Sequence, residues 1–138
     1  MLKIRIAQAA DEQELLRVLE ELDFLYSSLS LDHFWVAEKN GAIVGTLRLE
    51  EYQDFYFLSC LGVIEKERKH GIAEALLEVT LKNLQKKVYL YTILPAFFEK
   101  YGFEETVPLS SLPSKENLGC PECLSEKCVC MVKYPHAA

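Results

Sequence analysis

Residues 58–77, LSCLGVIEKERKHGIAEALL, pass from an apolar strand ending at Val63 through a short charged loop to Gly71, and then into an amphipathic helix. A further apolar strand, Val88 to Ile93, follows that helix. Strands separated by a helix pair in parallel through a right-handed crossover, so this stretch places the chain among α/β folds. The helix opens at Arg68-x-x-Gly71-x-Ala73. Unpaired N–H groups and the positive end of the helix dipole favour an anion there. Gly71 allows a ligand close to the backbone, and Lys66, Arg68, Lys69 and His70 supply positive charge beside it. An ordinary surface turn accounts for the same residues without a ligand.

The flanking segments assign themselves by period and punctuation. Met1 to Ile6 alternates apolar and charged residues and reads as a half-buried strand, not as a secretory signal. Asp11-x-x-Glu14 predicts a capping box opening a first helix whose apolar face carries Leu15, Leu16, Val18, Leu19, Leu22 and Leu25, ending near 26–30. Phe34 to Glu38 and Ala42 to Leu49 flank Asn40-Gly41, a hairpin turn, and Phe55 to Val63 follows after a turn at 51–54. Helical spacing after Gly71 gives a stripe of Ile72, Ala75, Leu76, Val79 and Leu84. Pro95 suits the first turn of a short helix to Tyr101, with Gly102 as its C-terminal cap, before strands at 103–107 and 129–134.

The 138 residues suffice for one domain, 1–138, with an ordinary core. The net charge of −6 argues against nucleic acid as a partner, and no apolar run reaches the length of a membrane span. A cytoplasmic monomer or homodimer is the expectation.

Arg68-x-x-Gly71-x-Ala73 together with Phe97-Phe98-Glu99-Lys100-Tyr101-Gly102-Phe103 resembles the paired signatures of the GCN5-related N-acetyltransferase (GNAT) superfamily. That resemblance implies a mixed, mostly antiparallel sheet of about seven strands with flanking helices, its fourth and fifth strands parallel and splayed around the coenzyme. It implies acetyl-CoA as cosubstrate and the primary amine of a small molecule as acceptor. Main-chain groups of Leu61 and Val63 are expected on the pantetheine arm. Arg68, Lys69, His70, Gly71, Ile72 and Ala73 are expected around the pyrophosphate, with Phe98 also against the coenzyme. Plain core packing explains Leu61 and Val63 equally well.

Two positions depart from the family pattern. Where many members have a tyrosine that protonates the leaving thiolate, this chain has Phe98, and where some carry a carboxylate on the fourth strand it has Ser59. No side chain is identified as the general base: a water relay is the expectation, with Ser59 and Tyr91 the only candidate catalytic side chains, while Tyr101 reads as packing and Cys60 as inert core rather than an acyl-enzyme nucleophile. The run from Tyr91-Thr92 through Phe97-Phe98 to Gly102-Phe103 is similar to amino-acid N-acetyltransferases of the acetylglutamate synthase type. An amino-acid substrate needs a cation for its carboxylate, and Arg48 is the candidate beside the alternative of a solvated surface arginine, with Tyr26 lining the same pocket. A non-catalytic acyl-CoA binding or sensing module is the alternative that the missing tyrosine and carboxylate suggest.

Cys120-Pro121-Glu122-Cys123 with Cys128-Val129-Cys130 forms a Cys-rich loop at 120–130. Four thiols so spaced are a candidate structural zinc site, with packed thiols or a redox pair as alternatives. A zinc-dependent interaction module is a further functional reading of that loop.

Overall fold

The computed structural model describes residues 1–24, 31–112 and 128–135. Among the described residues seven strands form one mixed sheet: β1 (Leu2–Ile6), β2 (Phe34–Lys39), β3 (Ala42–Glu51), β4 (Phe55–Val63), β5 (Lys87–Thr92), β6 (Glu104–Glu105) and β7 (Val129–Lys133). The α-helices among them are α1 (Glu12–Glu21), α2 (Ile72–Thr80) and α3 (Pro95–Glu99). The order across the sheet is β1-β2-β3-β4-β5-β7-β6. As the crossover through α2 demands, β4 and β5 run parallel, with Phe55, Tyr56 and Phe57 opposite Lys87, Val88 and Tyr89. The described residues divide into two compact units, one of 1–24, 31–49 and 59–82, the other of 50–58, 83–112 and 128–135.

In the first unit, Asn40 and Gly41 take φ of 52° and 84°, the left-handed pair that closes a tight hairpin between β2 and β3. The capping box expected at Asp11 and Glu14 does not form. Asp11 instead receives both terminal nitrogens of Arg5 at 2.7 and 2.9 Å, and the Gln8 N–H at 2.7 Å, which builds a 3₁₀ turn at Ala9–Asp11. Arg5 also donates through Nε to Glu38 at 2.9 Å, tying β1 to β2. This guanidinium holds the Asp11 carboxyl at about 2, below the usual carboxylate range. Glu14 is spent on the Ile43 N–H at 2.9 Å.

α1 buries Leu15, Val18 and Leu19 but stops at Glu21, short of the expected end. Asp23 is left-handed at φ 61°, and the Phe24 N–H returns to the Leu19 carbonyl at 2.8 Å while that of Asp23 bonds Glu20 at 3.1 Å. Those two bonds are a Schellman turn with aspartate in the place glycine usually fills. α2 also ends early, at Thr80, and buries Ile72, Leu76, Leu77 and Thr80. Val79, expected in the stripe, is 44% exposed, and Leu84 lies beyond the helix. Gly45 admits this helix: a Cβ there would stand 3.2 Å from Leu76 Cδ1 and 3.3 Å from Ile72 Cγ2.

In the second unit, Phe55, Phe57, Tyr89, Leu112, Cys130 and Val132 form one core cluster, flanked by Tyr52 and Tyr91. α3 begins at Pro95 as expected and ends in a Schellman turn at Gly102, φ 92°. The Phe103 N–H bonds Phe98 O at 3.3 Å and the Gly102 N–H bonds Glu99 O at 3.2 Å. The accompanying apolar contact is Phe98 against Phe103, rings edge-to-face at 5.6 Å. Lys133 Nζ closes the turn on the Tyr101 carbonyl, a cation at a helix C-terminus. The strand expected over 103–107 is reduced to Glu104–Glu105, and β7, later in the chain, lies between it and β5.

Candidate active site

β4 carries an irregularity that sequence reasoning missed. Cys60 lies in the middle of the strand at φ 53°, a left-handed conformation that side chains other than glycine, asparagine and aspartate rarely adopt. Its carbonyl accepts a hydrogen bond from Thr46 Oγ1 at 2.8 Å. Past this kink the strand runs through half-buried Leu61 and Gly62 to buried Val63, and Ile64 donates its N–H to Val44 O at 2.9 Å. Phe24 and Leu22 reach β4 because residue 62 has no side chain: a Cβ on Gly62 would be 2.7 Å from Phe24 Cε2.

The loop beyond β4 winds through a 3₁₀ turn at Glu65–Glu67 to Gly71. Lys69 at φ 68° and Gly71 at φ 77° are both left-handed. Such alternation turns successive N–H groups toward one side and makes a concave anion cradle. Gly71 is the N-cap of α2, and no side chain caps the helix there. The first helical bond runs from Ala75 N to Gly71 O at 3.0 Å, so the donors of Ile72, Ala73 and Glu74 belong to the unsatisfied first turn. A Cβ at Gly71 would meet nothing within 4 Å, so the cradle is open on that side.

The charges of the loop are arranged more specifically than their sequence suggested. Arg68 donates through Nε to Val63 O at 2.9 Å, bracing the loop against the end of β4. Lys66, Lys69 and His70 are exposed, and Ile72 is buried with Ala73 half-buried. Glu67 pairs with Lys39 at 2.7 Å and stands 3.6 Å from His70 Nδ1, and the lysine holds its carboxyl below the ordinary range. That pairing leaves the cationic side chains near the cradle less opposed by a local carboxylate.

Arg48 is 9% exposed, which corrects the alternative of a solvated surface arginine. It stands opposite Phe34 in the β2–β3 register and donates through Nε to Asp32 O at 3.1 Å. Ser59, in the same unit, is half-buried on β4. Tyr26 lies outside the described residues.

In the second unit, Phe98 is 7% exposed, its ring edge-to-face with Phe97 at 5.0 Å as well as with Phe103. Tyr91 is half-buried with its ring 5.6 Å from Phe57, and Tyr101 packs on Phe97 at 5.3 Å. Cys128 and Cys130 are buried, Cys130 within the aromatic core cluster, and Cys128 precedes β7 rather than lying in it. Cys120 and Cys123 lie outside the described residues. Among the described residues no group of three or more His, Cys, Asp or Glu side chains is placed to hold a metal ion. Among them, too, no helix is long and apolar enough to cross a membrane.

Comparison with solved structures finds the same fold in proteins of known structure. Rv2747 from Mycobacterium tuberculosis, solved in complex with CoA, superposes with a TM-score of 0.76 at 20% identity over 97% of this chain and 99% of its own. The ribosomal-protein-S18-alanine N-acetyltransferase from Escherichia coli gives a TM-score of 0.75 at 17% identity, covering 100% of this chain and 96% of its own. N-acetylglutamate synthase from Neisseria gonorrhoeae, solved with coenzyme A and N-acetyl-glutamate, gives 0.74 at 19% identity over 99% of this chain. This chain spans only 36% of that protein's length. At these identities the likeness shows the fold. No curated protein sequence matches significantly. Residues 30–105, more than half of the chain and including β4, the loop and α2, match the acetyltransferase (GNAT) domain family, and with the fold in agreement the chain belongs to that family.

Proposed function

We propose that this protein is an acetyl-CoA-dependent N-acetyltransferase acting on the primary amine of a small molecule, with an amino acid as the acceptor. The observation that carries the coenzyme reading is the cradle at Lys69 and Gly71 on an uncapped helix N-terminus directly after β4. The backbone donors from Lys69 to Ala73 would take the pyrophosphate, as donors at a helix N-terminus do for phosphates generally. Main-chain groups of Leu61 and Val63 would meet the pantetheine arm. The Val63 carbonyl is already engaged by Arg68, so the cation fixes the strand end on which the arm depends.

In the reaction the neutral amine attacks the thioester carbonyl, a tetrahedral oxyanion forms, and its collapse breaks the C–S bond and expels the coenzyme thiolate. The amine loses one proton and the thiolate gains one. Phe98 cannot supply that proton, being a hydrocarbon enclosed by two other phenyl rings. A thiol ionises near pH ~8.5, so its thiolate leaves without a side-chain acid more readily than an alkoxide would, and solvent or the ammonium proton of the tetrahedral adduct suffices. Arg48, held by the Asp32 carbonyl at its Nε, is the proposed partner of the substrate carboxylate.

Incubation with acetyl-CoA and a panel of amino acids and carboxylate-free amines, with thiol release and product mass both followed, tests the proposal. Acetylated amino acids are expected, with Arg48→Lys raising KM for them about tenfold, the scale of one weakened charge-assisted contact. Tight CoA binding without acetylation of any amine would instead favour the acyl-CoA sensing module, which the enclosed Phe98 and the absence of a carboxylate at Ser59 make a genuine competitor.

A further inference from the structure

We infer that Thr46 is a positioning residue for the coenzyme site, acting through the left-handed peptide at Cys60. This deepens the coenzyme reading and rests on it. Thr46 is 0% exposed on β3, and its hydroxyl donates to Cys60 O at 2.8 Å. A left-handed cysteine inside a strand is uphill in backbone energy and persists only where its surroundings over-determine it. The threonine hydroxyl is such a determinant. It is a buried donor matched to a buried carbonyl, and neither group has water to fall back on.

The consequence for the site follows from peptide geometry. The Cys60 carbonyl and the Leu61 N–H share one planar trans peptide, so the two groups point in opposite directions. With the carbonyl fixed on Thr46, the Leu61 N–H is fixed pointing away from Thr46. Leu61 is the residue whose main chain is proposed to meet the coenzyme arm, and a donor already aimed before the ligand arrives binds it at less ordering cost. Thr46 touches no reacting atom in this scheme. It sets the direction of a group that meets the coenzyme arm.

The test compares Thr46→Val, which keeps the volume and removes the hydroxyl, with Thr46→Ser and with the double variant Thr46→Val/Cys60→Gly. Each is measured for CoA affinity by calorimetry, for kcat and KM with acetyl-CoA, and for thermal midpoint. Thr46→Val is expected to weaken CoA binding and lower kcat/KM at least tenfold, and Thr46→Ser to restore both to within a factor of about three. Glycine adopts the left-handed conformation without help, so the double variant is expected to recover part of the affinity. A residue that merely fills core space is not rescued by a change at its partner's backbone. Wild-type affinity in a folded Thr46→Val protein, or no recovery in the double variant, would overturn the inference. A wild-type protein that binds no CoA would overturn the coenzyme reading itself, and this inference with it.

Discussion

Replacing Gly71 by aspartate separates the electrostatics of the cradle from its shape. The new side chain enters open space, since a Cβ there has no neighbour within 4 Å. The left-handed φ of 77° is the only local strain, and aspartate and asparagine are the residues besides glycine that tolerate it, at a cost of about 1 kcal/mol. Aspartate recovers part of that as a good N-cap and as a negative charge at the start of α2. Net stability is therefore expected to change by less than about 1 kcal/mol, a few degrees in Tm for a domain of this size. Coenzyme binding responds quite differently. A carboxylate about 5 Å from a phosphate charge at an effective dielectric near 20 to 40 is repelled by roughly 2–3 kcal/mol, which raises the Kd for CoA about 30- to 200-fold. Gly71→Asn has nearly the same shape and no charge, so its loss should stay below about fivefold. Calorimetry of all three proteins with CoA is the assay, repeated near 0.5 M salt, where screening should shrink the deficit of the aspartate variant. Equal Kd values for the Asp and Asn variants would refute the assignment of the pyrophosphate to this loop.

Other substitutions probe the scaffold and the chemistry. Asp11→Asn should cost about 1–2 kcal/mol, because Arg5 loses a bidentate charged partner, and a melt at neutral pH measures it. The folded carboxyl titrates at about 2 against an ordinary aspartate value of 3.8, so its contribution is complete above about pH 4 and lost as the pH falls toward 2. The variant and wild type should therefore converge in stability at the acid end of that window. Gly62→Ala should destabilise by about 1–3 kcal/mol by driving a methyl into Phe24, and the same substitution in a Phe24→Ala background should cost less, Leu22 at 3.1 Å being the contact that remains. Phe98→Tyr should alter kcat by less than about threefold. A gain of a hundredfold, the scale of general acid catalysis, would show that the enclosed phenyl position is where the thiolate is protonated.

Local signals carried much of this fold. The hairpin at Asn40-Gly41 and α3 between Pro95 and Gly102 follow from residues whose backbone preferences leave few options. The cradle loop was readable for the same reason at Gly71, though not at Lys69, whose left-handed backbone has no compositional mark. Where the reading failed, a distant partner decided the outcome. Asp11 looked like a helix cap, but Arg5 and the Gln8 N–H claim its oxygens, and Glu14 is drawn to Ile43 on another strand. α1 stops at an aspartate turn that resembles an ordinary surface residue. The Cys60 kink depends on a threonine 14 positions earlier that nothing in the sequence singles out. The charge of Arg48 makes it a candidate, but its burial follows from its register opposite Phe34, a property of the pairing and not of the residue.

The position of β7 has a consequence for how the protein is made. In the second unit β7 pairs with β5 on one side and with β6 on the other, although both precede it in the chain. Until β7 has emerged from the ribosome, the edge of β5 that it later covers is bare, and Cys130 and Val132 are missing from the aromatic cluster of Phe55, Phe57 and Tyr89. Synthesis at about 5–20 residues per second leaves that edge uncovered for roughly 2–8 s while the 41 residues from 93 to 133 are added, β5 ending at Thr92 and β7 at Lys133. An open strand edge beside exposed aromatic rings is the kind of surface that aggregates or recruits a chaperone. Ribosome-bound chains halted before β7 should thus be protease-sensitive throughout residues 83–112, and become protected together once it is released.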